Sequence, residues 1–93
     1  MKVYRCYRVC TENRPPTNET ILEEANNMFA CFAVYYPTGL WKGEEEEGLT
    51  IEVVLEDTVH NMALVCTLAE AIKHINGQDA VLVTSYPVTY NLI

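Results

Sequence analysis

The densest group of chemically reactive side chains in this sequence is an acidic segment that begins at Glu44. Between Glu44 and Asp57 the chain carries seven carboxylates and no basic residue. Four of them are adjacent, at positions 44–47, where like charges repel one another unless a positive group comes near. This pattern predicts a surface that binds a basic partner, and a solvated hairpin tip is the alternative. The predicted partner-binding residues are Trp41, Glu44, Glu45, Glu46, Glu47, Glu52, Glu56 and Asp57.

Trp41, which lies just before the acidic segment, is compatible with two roles. In the core it would close a sheet against a helix. On the surface it would be a good anchor for a partner, because an indole buries a large area at a low cost in conformational entropy. Both roles stay open at this point.

No pattern in the sequence predicts a catalytic or metal-binding residue. A calcium loop needs spaced oxygen ligands and a glycine at a fixed position, which four contiguous glutamates do not supply. Glu52 and Glu56 would lie about 13 Å apart on one strand, too far for the carboxylate pair of a glycosidase. His60 and His74 would lie about 21 Å apart on one helix, so they cannot share a metal ion. We therefore expect a non-enzymatic protein without a cofactor. A small enzyme that acts in a dimer cleft is a further class of protein to consider, but the sequence offers no nucleophile and base pair for it.

Composition limits the kind of protein and its partners. The 93 residues, with a net charge of −7, suit one domain spanning positions 1–93. A negative surface repels nucleic acid and anionic membranes, so we expect neither as a direct partner. Without a long apolar run, the expected location is the cytoplasm. There the four cysteines, Cys6, Cys10, Cys31 and Cys66, are expected to stay reduced, with the last two on apolar helix faces.

The start of the chain predicts a strand followed by a helix. Residues 2–10 alternate between two faces, which is typical of a strand. Thr20 with Glu23 forms a capping box that predicts the start of a helix, and Thr17 is the alternative cap. The helix is predicted to end near Phe32. Its apolar stripe is Ile21, Leu22, Ala25, Met28, Phe29 and Phe32.

The middle of the chain predicts a hairpin. Residues 33–36 begin a strand that Pro37 interrupts and that resumes through 40–41, as an edge strand or bulge. Residues 43–48 are predicted to form the turn, with the four glutamates at its tip. Residues 49–56 alternate most clearly of all. The residues on their core-facing side are Leu49, Ile51, Val53 and Leu55.

The last third predicts a second helix and a final strand. Asp57 or Thr58 caps a helix that ends at Gly77. Residues 80–86 are predicted to form the last strand, which is apolar on both faces through Val83 and is therefore predicted to be central; Pro87 is predicted to end it. The predicted apolar stripe of the second helix is Val59, Met62, Ala63, Cys66, Ala69, Ile72 and Ile75.

The order strand, helix, strand, strand, helix, strand predicts a ferredoxin-like α+β fold with a four-stranded antiparallel sheet and both helices on one face. The opposite sheet face must then be polar or meet a partner. Exposed aromatic side chains on such a face can stack RNA bases, but the negative charge argues against that use. Dimerisation or ligand binding suits it better. The aromatic residues available are Tyr4, Tyr7, Tyr35, Tyr36, Tyr86 and Tyr90.

Three short motifs are the basis of a resemblance. They read Gly39-Leu40-Trp41-Lys42-Gly43-Glu44, Gly48-Leu49-Thr50-Ile51-Glu52-Val53 and Gln78-Asp79-Ala80-Val81-Leu82-Val83. Together they resemble small uncharacterised proteins of phages and mobile elements with a Trp-x-Gly, acidic residues, an Ile-Glu-Val strand, a helix and a Gln-x-Ala-Val strand. The resemblance implies a fold and a mobile-element setting, and no activity or catalytic residue. Some small acidic phage proteins of ferredoxin-like fold are anti-CRISPR inhibitors, which is an analogy of fold alone.

Two functional hypotheses follow. The first is an acidic inhibitor or accessory factor of a phage or mobile element that presents its carboxylates to a basic protein surface, such as a groove meant for nucleic acid. The second is a homodimeric module that binds a small ligand or regulates a partner and pairs through the open sheet face.

Overall fold

The computed structural model describes residues 2–93, with the backbone alone at Trp41. Its elements are β1 (Tyr4–Glu12), α1 (Thr17–Met28), β2 (Ala33–Tyr35), β3 (Thr38–Trp41), β4 (Glu44–Glu56), α2 (Val59–Asn76) and β5 (Leu82–Val88). The sheet order is β2-β4-β1-β5, and every neighbouring pair is antiparallel. β3 pairs with the first residues of β4. The predicted ferredoxin-like α+β fold is therefore confirmed, with five strands instead of four.

The additional strand arises because the predicted second strand is divided in two. β2 ends at Tyr35 and β3 begins at Thr38, on either side of Pro37. Proline has no backbone N–H to donate to a neighbouring strand, so the ladder is interrupted there. The Pro37 carbonyl instead accepts a hydrogen bond of 2.8 Å from the Gly48 backbone N–H. A side chain at Gly48 would lie 3.1 Å from the proline ring, so glycine permits this close approach.

The predicted turn over 43–48 is wrong, because the four glutamates belong to strand β4. They pair with residues 38–41, with Thr38 opposite Glu47 and Trp41 opposite Glu44. The turn consists of Lys42 and Gly43, both with positive φ, at 51° and 82°. Two such residues give the hairpin turn whose twist matches that of the flanking strands. The hairpin is therefore longer than predicted; we call its end, residues 38–47, the acidic arm.

The hydrophobic core lies between the helices and one face of the sheet. Tyr7 and Val9 of β1 and the predicted alternating residues of β4 are buried there, except Leu55, which is partly buried. The predicted stripe of α1 also contacts this core. The fully or nearly fully buried members are Tyr7, Val9, Ile21, Ala25, Phe29, Leu49, Ile51, Val53, Val65, Leu68, Ala69 and Ile72.

The predicted stripe of α2 is wrong at its N-terminal half. Val59 and Met62 are 87% and 52% exposed, and the buried face continues through Val65 and Leu68 instead. α2 carries apolar residues on two sides, so helical spacing alone fits both. The face that packs is the one that continues to Ile72 and Asn76, whose side chain is hydrogen-bonded to β1 and α1.

Two predicted helix ends are correct and two are not. Thr58 caps α2 by accepting a hydrogen bond of 3.1 Å from the Asn61 backbone N–H. Gly77 ends α2 in the left-handed conformation, at a φ of 60°. α1 ends at Met28, earlier than the predicted Phe32, and begins at Thr17, the predicted alternative to Thr20, although Pro16 is the N-cap residue and no side chain caps the helix. The Thr20 capping box therefore does not form.

The last strand is not central, contrary to the prediction. β5 pairs with β1 alone and lies at an edge of the sheet. Its residues are exposed or partly buried, so the apolar composition of both faces did not indicate burial. Pro87 lies inside β5, opposite Arg5, and not at its end. An edge strand tolerates proline because one side of its backbone makes no ladder hydrogen bonds.

Candidate functional site

The sheet face that the helices leave uncovered is the main candidate site; we call it the open face. The strand register places Arg8 of β1 between Glu52 of β4 and Thr84 of β5. Two residues earlier in β1, and therefore on the same face, Cys6 lies between Val54 and Tyr86. Because side chains alternate along strands, these residues point away from the helices.

At the centre of the open face Arg8 is held by two contacts. Its Nε donates a hydrogen bond of 2.7 Å to a carboxylate oxygen of Glu52. Its guanidinium carbon lies 5.6 Å from the centre of the Tyr86 ring, within the range of a cation–π contact. The hydrogen bond with Glu52 raises the pKa of the Arg8 guanidinium, which stays charged. The pair therefore places one positive and one negative charge side by side.

Around this pair the open face is apolar, aromatic and exposed. Tyr35 is 49% exposed, Tyr86 42% and Leu82 63%. At the end of the face the rings of Tyr4 and Tyr90 stack with centroids 4.5 Å apart. Exposed aromatic side chains of this kind are enriched where proteins meet partners.

A pocket of about 340 Å³ opens on this face beside Arg8. Such a volume lies at the lower end of the range for small-molecule sites, about 300–1,000 Å³. Four strands of the sheet, β1, β2, β4 and β5, form its walls together with Pro37, which lies between β2 and β3. The lining residues are Arg8, Cys10, Tyr35, Pro37, Thr50 and Thr84.

The predicted acidic residues have different surroundings in the fold. The four glutamates of the acidic arm are exposed. Glu52 instead pairs with Arg8, and Asp57 accepts a hydrogen bond of 3.3 Å from Arg5 Nε. Residues 44 and 57 are separated by a strand length of about 43 Å, so the predicted residues extend along the whole of β4, and their role as one partner-binding surface stays a prediction. The side chain of Trp41 lies outside the described residues, and its predicted role stays a prediction.

The thiols are free and spread over the molecule. Cys6 is buried under the open face, where Val54 and Tyr86 flank it. Cys31 and Cys66 are exposed, so the prediction that they lie on buried apolar faces is wrong. Among residues 2–93, no three His, Cys, Asp or Glu side chains come close enough to hold a metal ion. In the same part of the chain, no helix is long and apolar enough to span a bilayer.

The pocket was not predicted from the sequence. Alternation along the first strand predicted that Arg5 and Arg8 lie on opposite faces and that one of them could reach the acidic segment; in the structure each reaches it, Arg8 at Glu52 and Arg5 at Asp57. Strand order decides whether two such residues meet, and alternation within a strand carries no information on order.

Comparisons with known proteins identify the fold. No family model and no curated protein matches the chain. A DUF3240 family protein from Shewanella baltica has a TM-score of 0.67 at 13% identity, covering 100% of this chain and 98% of that one. CutA1 from Oryza sativa has a TM-score of 0.60 at 13% identity, with 97% and 84% covered. The GlnK–ATP complex of B. subtilis has a TM-score of 0.51 at 20% identity, with 94% and 82% covered. At these identities the likeness shows the ferredoxin-like fold alone.

Proposed function

We propose that this chain is a non-enzymatic regulatory module that binds a small ligand and pairs with a second copy of itself through the open face. The observation that carries the proposal is the exposed apolar and aromatic surface formed by Tyr35, Leu82 and Tyr86 on the face opposite the helices. A sheet face of this composition is stabilised when a second surface covers it.

The size of the open face suits an interface. Four strands about 4.8 Å apart and about seven residues long present roughly 440 Å². The largest apolar patch on a typical monomer is about 300–600 Å² and is often functional. A standard interface takes about 800 Å² from each partner. The side chains project from the sheet and so present more area than the flat backbone does. Together with the neighbouring exposed residues Tyr90 and Leu92, they would supply the difference.

Charge favours a second copy as the occupant over a basic partner. At the centre of the open face Arg8 and Glu52 are in contact, so their charges balance there although the chain carries −7; Glu56, opposite Tyr4, adds a negative charge at the end of the face. Two copies can face each other about a two-fold axis with the Arg8–Glu52 pair of each kept intact, so that neither charge loses its partner. Such an isologous contact is the commonest symmetry of soluble oligomers.

The comparisons support the ligand-binding part of the proposal by analogy. GlnK, which shares the fold, is described as a complex with ATP. CutA1 from Ehrlichia chaffeensis, with a TM-score of 0.57 at 16% identity, is described as a divalent ion tolerance protein. Fold alone does not transfer either ligand to this chain.

Sedimentation of the purified protein tests self-association. The wild type is expected to associate, and Leu82→Glu and Tyr86→Glu are each expected to weaken association by at least about thirtyfold, as for hot-spot residues. Leu82 is so exposed that its variant should fold normally. Met62→Glu, on the outer side of α2, is the matched control and should associate like the wild type. A wild type that is monomeric at every attainable concentration would contradict the proposal.

The acidic arm supports a second candidate function, the binding of a basic protein. Its four glutamates are exposed along both sides of a strand and therefore repel one another. A basic partner would relieve that repulsion and bind through charge complementarity. The phage setting and the inhibitor role remain hypotheses of the sequence.

Replacing all four glutamates of the acidic arm by Gln tests this second candidate. If they bind a basic partner, the affinity should fall by about 1–3 kcal/mol, mainly through slower association, because exposed pairs contribute about 0–1 kcal/mol each. Parallel capture of binding proteins with wild type and variant, at low and physiological salt, measures the effect. Equal capture of the same proteins under both conditions would show that the arm is not the binding surface.

A further inference from the structure

The open-face pocket has the features of a ligand site with a single fixed cation. Among the described residues that line it, Arg8 is the one that carries a charge. Glu52 and Tyr86 hold the guanidinium from two sides, through Nε and through the ring face. Among the side chains that the structure describes, no further hydrogen bond uses the terminal nitrogens Nη1 and Nη2. These two parallel donors match the two oxygens of a carboxylate.

The remaining walls of the pocket limit the rest of the ligand. Tyr35 and Pro37 present apolar surface, and Cys10 adds a weakly polar thiol. Thr50 and Thr84 supply hydroxyl groups that can donate or accept. A ligand that fits these walls has an apolar body with few polar groups beyond the one that meets Arg8.

The charge of the ligand is limited by Glu52. The carboxylate of Glu52 already balances much of the Arg8 charge at 2.7 Å. With Glu52 already paired to Arg8, a doubly charged phosphate would leave two uncompensated negative charges beside that carboxylate, whereas a monocarboxylate would leave one and be repelled less.

We propose that this pocket binds a small monocarboxylate with an apolar body, oriented by the terminal nitrogens of Arg8. The inference rests on the proposed function, since it names the ligand class of the regulatory module. The acidic arm has no part in it, because its four glutamates are outside the pocket lining.

Titration of the full-length protein with benzoate, followed by amide chemical shifts, tests the inference. Benzoate is expected to bind and to shift resonances of the lining residues. Benzyl alcohol, which has a similar body without the charge, should bind at least about tenfold more weakly, as expected for loss of a charge-assisted hydrogen bond. Equal binding of the alcohol, or stronger binding of inorganic phosphate, would overturn the assignment.

Two arginine variants connect the binding to the pocket. Arg8→Gln should weaken benzoate at least about tenfold. Arg5→Gln is the matched control, because Arg5 lies on the same strand but pairs with Asp57 away from this pocket, and it should bind like the wild type. The Arg8→Lys variant keeps the positive charge but lacks the two parallel N–H donors of the guanidinium, so it should also bind benzoate more weakly. Benzoate binding that survives Arg8→Gln overturns the proposal, provided that the amide spectrum shows a folded variant.

Sedimentation of the same samples separates this inference from the proposed pairing. Self-association without benzoate binding would overturn the ligand assignment alone. Benzoate binding that depends on Arg8 in a protein that stays monomeric would support the ligand assignment and overturn the pairing.

Discussion

Ile51→Ala is expected to lower the free energy of unfolding by about 2–5 kcal/mol, because it removes buried methyl groups and leaves a cavity. Ile51 is completely buried in the centre of β4. It lies between Val9 of β1 and Val34 of β2 in the strand register. Urea unfolding followed by circular dichroism measures the loss.

Val54→Ala is the matched control for Ile51→Ala. Val54 is on the same strand, three residues away, but faces the open side and is 39% exposed. Its loss should be clearly smaller, since less apolar surface leaves the protein interior. A loss below about 0.5 kcal/mol for Ile51→Ala would place it among ordinary surface substitutions and show that this face is not the core.

Asn76→Ala is expected to have the second largest effect on stability. Asn76 is the last residue of α2, and its side chain is buried against the end of β1. Its amide donates hydrogen bonds of 3.0 Å to Thr11 Oγ1 and to the Glu12 backbone carbonyl. Its side-chain oxygen accepts one of 2.6 Å from Thr17 Oγ1 at the start of α1. This one side chain therefore connects both helices to the sheet.

The expected cost of Asn76→Ala is about 1–3 kcal/mol for each buried group left without a partner. The variant would remove the amide donor from the buried bond to Thr11 Oγ1 and from the part-buried bond to the Glu12 carbonyl. Thermal or urea unfolding measures the change. Thr67→Ala, which removes an exposed hydroxyl from the same helix, should change stability by less than about 0.5 kcal/mol. A variant Asn76→Leu as stable as the wild type would show that the network contributes nothing.

The sequence by itself determined the order of elements and the inner face of most of them. Strict alternation over residues 49–56 predicted the buried side of β4. Successive side chains of a strand point to opposite faces, so when one face is apolar that face must lie against the core. The single apolar stripe of α1 predicted its packing for the corresponding reason. Thr58 and Gly77 predicted the ends of α2, because capping depends on residues close in sequence.

The tertiary structure decided the features that depend on contacts between distant residues. α2 has apolar residues on two sides, and only packing against the sheet, with Asn76 at its end, selects Val65 and Leu68 over Val59 and Met62. The four glutamates are in a strand because residues 38–41 supply the hydrogen-bonding partner, although glutamate has little preference for strands.

The candidate site was decided in the same way. Arg8 and Glu52 are 44 positions apart and meet because β1 and β4 are neighbours in the sheet. The same strand order brings the lining residues of the pocket together on the open face. Local patterns determine which side of a strand a residue occupies, whereas strand order, a property of the whole chain, determines which residues it meets.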